Sequence, residues 1–141
     1  MTVERAIWRA IRARIEALPM PYAKAWPAET FTPPQDNGLP APYLRIGRVS
    51  AAPARMMIAN GSHHNRSGSV TITLVHPLNR EWDASMYDQT AGAIAAHFID
   101  GTCMSSDEIS VSVPSYPHVQ EGYEDNGYWN VPVVIPWRTF A

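Results

Sequence analysis

The stretch YWNVPVVIPW, residues 128–137, alternates from end to end. Trp129, Val131, Val133, Ile135 and Trp137 fall on one face of an extended chain, because successive strand side chains point to opposite sides. This predicts a last strand whose apolar face lies in the core. Pro132 and Pro136 stand four apart, so both missing N–H groups face the same edge. That edge cannot carry a full ladder, and the strand is expected to pair on its other side or to bulge. Prolines on an edge also discourage open-ended sheet association.

Two upstream stretches share the period. In SVTITLVH, residues 69–76, Val70, Ile72 and Leu74 point one way and the serine and threonines the other. In YLRIGRVS, residues 43–50, Leu44, Ile46 and Arg48 share one face and Tyr43, Arg45, Gly47 and Val49 the other. These two are expected to pair antiparallel. The connection from Ala51 to Gly68 is far longer than a hairpin needs. ISVSV, residues 109–113, predicts a short strand, and the polar, aromatic run from Ser115 to Gly127 a loop. Residues 22–31 (YAKAWPAETF) have strand character interrupted by Pro27, which predicts an edge or bulged strand. TPPQDNGLPAP, residues 32–42, reads as a loop.

Helical spacing occurs twice. Val3, Ile7, Ile11, Ile15 and Leu18 recur every three or four residues, with Thr2 as N-cap and Pro19 as the stop. Arg5, Arg9, Arg12 and Arg14 are expected on the water side of this helix. Asp83 to Ile99 predicts a second helix, capped by Asp83 and closed by a glycine motif at Gly101. Its expected apolar stripe is Met86, Ala93, Ile94 and Phe98. Helix, strands, helix, strands in a chain of 141 residues predicts one α+β domain over residues 1–141, a mostly antiparallel sheet with two helices packed on it.

Composition narrows the function classes. Hydrophobic residues make up 45% and charged residues 17%. So low a charge fits a surface reserved for other chains, and equally a Ser/Thr-decorated monomer. A net charge of −2 gives no basic footprint for nucleic acid. Cys103 is the only cysteine, so neither an internal disulfide nor a Cys-based zinc site can form, and a reducing compartment fits. The charged, amphipathic N-terminus lacks a signal-peptide core, no run reaches the ~18 apolar residues of a membrane span, and the sequons at Asn60 and Asn65 carry no weight.

Chemistry-bearing residues are sparse. His63, His64 and His76 invite a metal reading, but no Asp, Glu or Cys accompanies them at a ligand spacing. Ser67-Gly68-Ser69 lacks the frame of a nucleophile elbow. Asp107, Glu108, Glu121, Glu124 and Asp125 read as solvated loop charge. Cys103 with His97 as base would make a nucleophile; the alternative is a small buried apolar residue. No phosphate-binding or dinucleotide glycine pattern occurs. No cofactor, metal or catalytic residue is expected.

The ordered arrangement of motifs carries a family resemblance. A short helix, ERAIWRAIRARIEALP, precedes an extended segment ending in Trp26, Pro27 and Glu29-Thr30-Phe31. Pro42-Tyr43-Leu44-Arg45-Ile46 opens a strand. Arg66-Ser67-Gly68-Ser69 steps into a central strand that ends near Pro77. An alanine-rich helix (AGAIAAHF) and a close of the type VPVVIPWR follow. In this order the chain resembles, over nearly its whole length, the tail terminator proteins of long-tailed phages (siphoviruses) and gene transfer agents. It departs from them where a glycine commonly follows the proline; here the residues are Leu78-Asn79-Arg80-Glu81-Trp82.

The resemblance implies a structural virion protein and not an enzyme. It implies a homo-hexameric ring on the head-proximal end of the tail, assembled in the bacterial host cytoplasm. The ring would stop tube polymerisation and join the tail to the head. The implied partners are copies of itself, the major tail tube protein and the head connector or stopper protein. DNA would be only passing cargo in the lumen, with no membrane involved. The 51–68 connection, with Met56, Met57 and Ile58 flanked by Arg55 and Arg66, is the expected interface, together with Arg45 and Arg48 on the preceding strand. The alternatives are a head-completion or stopper (neck) protein, and a small α+β enzyme or ligand-binding domain.

Overall fold

The computed structural model describes residues 2–50, 54–55, 64–78 and 82–140. Helix α1 (Val3–Glu16) starts where expected: the Thr2 hydroxyl accepts from the Arg5 N–H at 3.3 Å. Its inner face buries Ala6, Ile7, Ala10, Ile11 and Ile15. Strand β1 (Ala23–Ala25) is all that forms of the segment around Pro27. It lies at the sheet edge, as expected, but runs parallel to β4 (Tyr43–Ser50). The 32–42 segment, read as a loop, contains a small hairpin of β2 (Gln35–Asp36) and β3 (Leu39–Pro40). Its turn, Asn37-Gly38, has positive φ at both residues, the geometry that Asn-Gly supplies in a two-residue hairpin.

Strand β5 (Ala54–Arg55) pairs with β6 (His64–Pro77), which begins well before Ser69. The connection expected over 51–68 therefore includes strand at both ends. Helix α2 (Ala84–His97) is N-capped by Asp83, whose carboxylate accepts from the N–H groups of Ser85 and Met86. Its buried stripe is Tyr87, Ala91, Ile94, Ala95 and Phe98; Met86 and Ala93 are exposed, which corrects the expected stripe. Gly101 has positive φ but comes three residues after the cap residue Phe98, where it turns the chain so that its N–H reaches the Val113 carbonyl.

Strands β7 (Cys103–Ser106) and β8 (Ile109–Ser112) form a hairpin, of which only the second strand was legible. The 115–127 loop holds β9 (His118–Val119) and β10 (Tyr123–Asp125). The last strand, β11 (Tyr128–Phe140), runs beyond Trp137. The main sheet has the order β1-β4-β6-β11-β8-β7, with β9 and β10 also on β11.

The prolines of β11 explain its two unlike edges. On one side β11 pairs with β6 without interruption, from Tyr128 opposite Pro77 to Phe140 opposite Asn65. On the other side three short strands share the edge: β10 along Tyr128–Asn130, β9 at Val133 and Val134, and β8 at Arg138. The full ladder is missing where Pro132 and Pro136 have no N–H to give. Pro132 still accepts, from the Gln120 N–H at 2.8 Å.

Matched rows of this ladder build the core. Leu44, Leu74 and Val131 stand side by side, then Ile46, Ile72 and Val133, then Val70 and Ile135, all buried. Both helices close over this face, α1 against β7 and β8 and α2 against β11 and β6. The helices are clamped together. Arg14 donates twice to the His97 carbonyl, at 3.2 and 2.7 Å, and His97 Nε2 donates to the Arg14 carbonyl at 2.8 Å. Arg14 is thus turned inward at the α2 C-terminus, where a cation is favoured, and not toward water as Arg5 and Arg9 are.

Two predictions follow from these contacts. A Cβ on Gly68 would strike the Val49 carbonyl and come within 2.8 Å of the Trp137 ring, whereas one on Gly47 meets nothing. Gly68→Ala should cost about 1–3 kcal/mol by overpacking, and Gly47→Ala should be neutral or mildly stabilising. Urea unfolding midpoints would show this, and equal midpoints would contradict it. Burial holds the His97 imidazole below its ordinary value; the Arg14 carbonyl opposes this and the Arg14 charge adds to it. The stability tied to the neutral ring is then present above the ordinary imidazole pKa of 6.5 and is lost as pH falls through the lowered native value. His97→Gln, which keeps a donor for the Arg14 carbonyl, should reduce the fall in urea midpoint between pH 7.5 and pH 5.

Candidate assembly surface

The expected interface residues divide into three groups. Met56, Met57 and Ile58 lie outside the described residues, and Arg55 is placed by its backbone pairing alone, opposite His64. Arg48 and Arg66 come together at one hollow. Arg45 is on the other face of β4, where its guanidinium is 3.4 Å from the Tyr123 hydroxyl.

The hollow, about 390 Å³, opens between the N-terminal half of α1 and the β4–β6–β11 rows. Ile7, Ile11, Val70 and Trp137 form its apolar floor and Trp8 a wall. Trp8 is fixed edge-on to Trp26, with ring centroids 6.1 Å apart. The rim is charged. Arg48 lies over the Trp8 ring at 4.7 Å, a cation–π contact. Arg66 donates to the Glu4 carboxylate at 2.8 Å. Glu4 is held below the usual carboxylate range, first by a backbone hydrogen bond and then by Arg66. Beyond Trp8, Arg12 stacks on Trp26 at 4.1 Å and bridges Glu16 and Glu29 at 3.1 and 2.6 Å. These two acids raise the Arg12 pKa above its ordinary value, Glu29 most. An apolar floor with a cationic rim suits a protein partner that brings apolar side chains and carboxylates.

The sheet face turned away from the helices carries Arg45 and Arg138 beside rows of small, polar and apolar residues. Its rows are Gly47, Thr71 and Val134, then Val49, Ser69 and Pro136. Val49 is 67% exposed and Phe140, at the end of β11, 54%. A second hollow of about 430 Å³ opens at this end beside Val49, Ser67, Pro136 and Arg138. Exposed apolar residues such as Val49 and Phe140 are the ordinary material of a protein contact. None of these residues was assigned to a contact surface from the sequence, although the Ser/Thr/Gly alternation opposite the core face was visible there.

The residues weighed for catalysis are placed otherwise. His76 stacks on Trp82 at 4.4 Å, meets Tyr87 edge-on, and has Nδ1 2.8 Å from the Pro77 carbonyl. His97 belongs to the helix clamp. Cys103 is exposed on edge strand β7, so the reading of it as a small buried residue is corrected; Met104 takes the inward position. His63 lies outside the described residues. Among the described residues no three His, Cys, Asp or Glu side chains gather as a metal site, and no helix is long and apolar enough to cross a membrane.

Arg45 and Arg48 bear no structural weight that the fold cannot spare. Arg45→Gln and Arg48→Gln should each shift stability by at most about 1 kcal/mol, measured by urea unfolding. A larger loss would make these residues part of the fold and not of a contact surface.

Against known proteins, the model of a family described as phage tail terminator protein matches residues 6–137. A solved structure of 20% sequence identity superposes with a TM-score of 0.74, covering 99% of this chain and 96% of that one. At that identity the likeness concerns the fold alone. No curated protein matches.

Proposed function

The chain belongs to the phage tail terminator family, and on that premise we propose that it forms a closed ring on the last layer of a tail tube and ends the tube's growth. As a member of this family it is a structural component of the phage tail, and so of the virion, and not an enzyme. The finer reading is a homo-hexamer at the head-proximal end. One side would meet the major tail tube protein, the other would receive the head connector or stopper protein, and DNA would only pass through the lumen. The family match over nearly the whole chain carries this reading. The exposed Val49 and Phe140 at one end of the sheet support it, because a subunit seated on a tube needs apolar surface left uncovered by its own fold. Residues Arg55, Met56, Met57 and Ile58 belong to the same proposed contact; at such interfaces apolar side chains supply most of the affinity and rim charges little.

The test is tail morphology in a phage or gene transfer agent lacking this gene. Electron micrographs should show tails of uncontrolled length without heads. Met57→Asp should reproduce that defect while the purified protein keeps its thermal stability. Tails of uniform, normal length would overturn the reading, and if they accompanied heads that leak DNA, the chain would belong in the neck as a stopper.

A further inference from the structure

The segment between β1 and β4 carries a projection that belongs to neither the main sheet nor the helix layer. Strands β2 and β3 form a two-stranded sheet of their own, and every residue from Gln35 to Pro40 is exposed. A two-stranded hairpin alone in water is marginal, but this one is stiffened by its sequence. Asn37 and Gly38 both have positive φ, as the turn requires. The Ala41 N–H donates to the Pro34 carbonyl at 3.1 Å. Pro33, Pro34, Pro40 and Pro42 fix φ on both arms. A rigid projection loses little entropy when it docks.

The tip presents one apolar and one acidic side chain together. Leu39 is the most exposed large hydrophobic among the described residues, at 68%. Asp36 is its cross-strand partner beside the turn, so the two side chains lie on the same face of the hairpin. Asp36 is the only charged residue between Thr32 and Pro42, and it makes no ion pair among the described residues.

The hollow beside Trp8 has the complementary make-up. Its floor of Ile7, Ile11, Val70 and Trp137 is apolar, and its volume of about 390 Å³ lies within the roughly 300–1,000 Å³ of pockets that take up ligands. Arg48 is exposed on its rim, held over the Trp8 ring, with no carboxylate bridged to it among the described residues. Hairpin and hollow belong to opposite ends of β4: the hairpin leads into its start at Tyr43, and Arg48 and Ser50 at its end line the hollow. From Tyr43 to Ser50 the strand spans roughly 23 Å, and the steps from Leu39 to Tyr43 cover only about 13 Å. One copy cannot seat its own Leu39 in its own hollow, but a second copy can.

We propose that copies of this chain join head to tail, the β2–β3 hairpin of one copy placing Leu39 in the Trp8 hollow of the next, with Asp36 against Arg48. Knob and socket are unlike surfaces, so the contact is heterologous and can repeat around an axis until it closes. Leu39 supplies the apolar anchor, and the Asp36–Arg48 pair selects partner and register. This rests on the ring reading above and adds to it the two surfaces that meet.

Cross-linking and charge exchange test the contact in the full chain, on tails from complemented phage. In a Cys103→Ser background, Leu39→Cys with Ser50→Cys should on oxidation link copies into a ladder of multimers on a non-reducing gel, and neither substitution alone should. Leu39→Asp, Asp36→Arg and Arg48→Asp should each lower the yield of particles with normal tails about tenfold or more. The double variant Asp36→Arg with Arg48→Asp should recover that yield to within about threefold of the parent, because the pair is swapped and not removed. Circular dichroism melts of the purified variants should match the parent, since these side chains are exposed in the free subunit. Absence of the cross-link would overturn the contact, as would a double variant no better than its parents. Cross-linked dimers without higher multimers would overturn the head-to-tail arrangement. Abnormal tails from Leu39→Asp without any cross-link would assign the hairpin to the tube instead. If the gene deletion leaves tail length normal, the ring reading fails first; if deletion lengthens tails but these substitutions do not, only the proposed contact fails.

Discussion

The pairing of β6 with β11 is the constraint on which the rest of the structure depends. Residues 128–140 lie opposite residues 77–65 without a break. Both strands alternate apolar and polar, so a slip by one residue would expose Val70, Ile72 and Leu74 and bury the threonines between them. The register is thereby fixed, and β4 continues the same rows. The buried stripes of the two helices are then aimed at one prepared surface, and the reverse face inherits mostly small and polar residues.

The prolines make the second half of the architecture conditional. Because β11 cannot offer a full ladder beyond β6, its free edge is taken up piecewise by β10, β9 and β8. The β7–β8 hairpin meets β11 at a single register pair and through the Thr139 hydroxyl. It depends on α1, which packs across it. That helix is in turn tied to α2 by the reciprocal Arg14–His97 bonds. The hairpin bearing Asp107 and Glu108 is therefore positioned by the helix layer more than by the sheet.

What was legible in the sequence follows from this. The long strands and both helices were readable because each buries one face against a partner, which leaves a period in the chain. The family order could be read for the same reason. Strand β7 was not, because of its four residues only Met104 is buried. Strands β1, β9 and β10 have two or three residues each, too few to show a period. The β2–β3 hairpin was hidden by flanking prolines despite its Asn-Gly turn. Arg14 could have been placed, since it stands seven residues after Ile7 and three after Ile11, on the buried stripe and not opposite it. Likewise Tyr87, Ala91, Ile94, Ala95 and Phe98 keep helical spacing in the sequence, and Met86 drew attention only by its hydrophobicity.

A protein with many unpaired surface charges and open sheet edges must avoid two failures: internal repulsion and open-ended polymerisation. Here the like charges stand on exposed positions, where water and salt screen them over about 10 Å, so their cost to the fold is small. The open edges are short, β1 beside Pro21 and Pro27 and β7 with four residues, which leaves little backbone for edge-to-edge growth. Association is then left to side chains. Individual exposed pairs contribute about 0–1 kcal/mol, so in the proposed ring a single lateral contact would hold two copies weakly. In the proposed assembly a tube end holding several copies side by side would supply the local concentration that makes the last contacts form. Short, proline-flanked edges suit the proposed role, in which a subunit must add to a tube end without starting a sheet of its own.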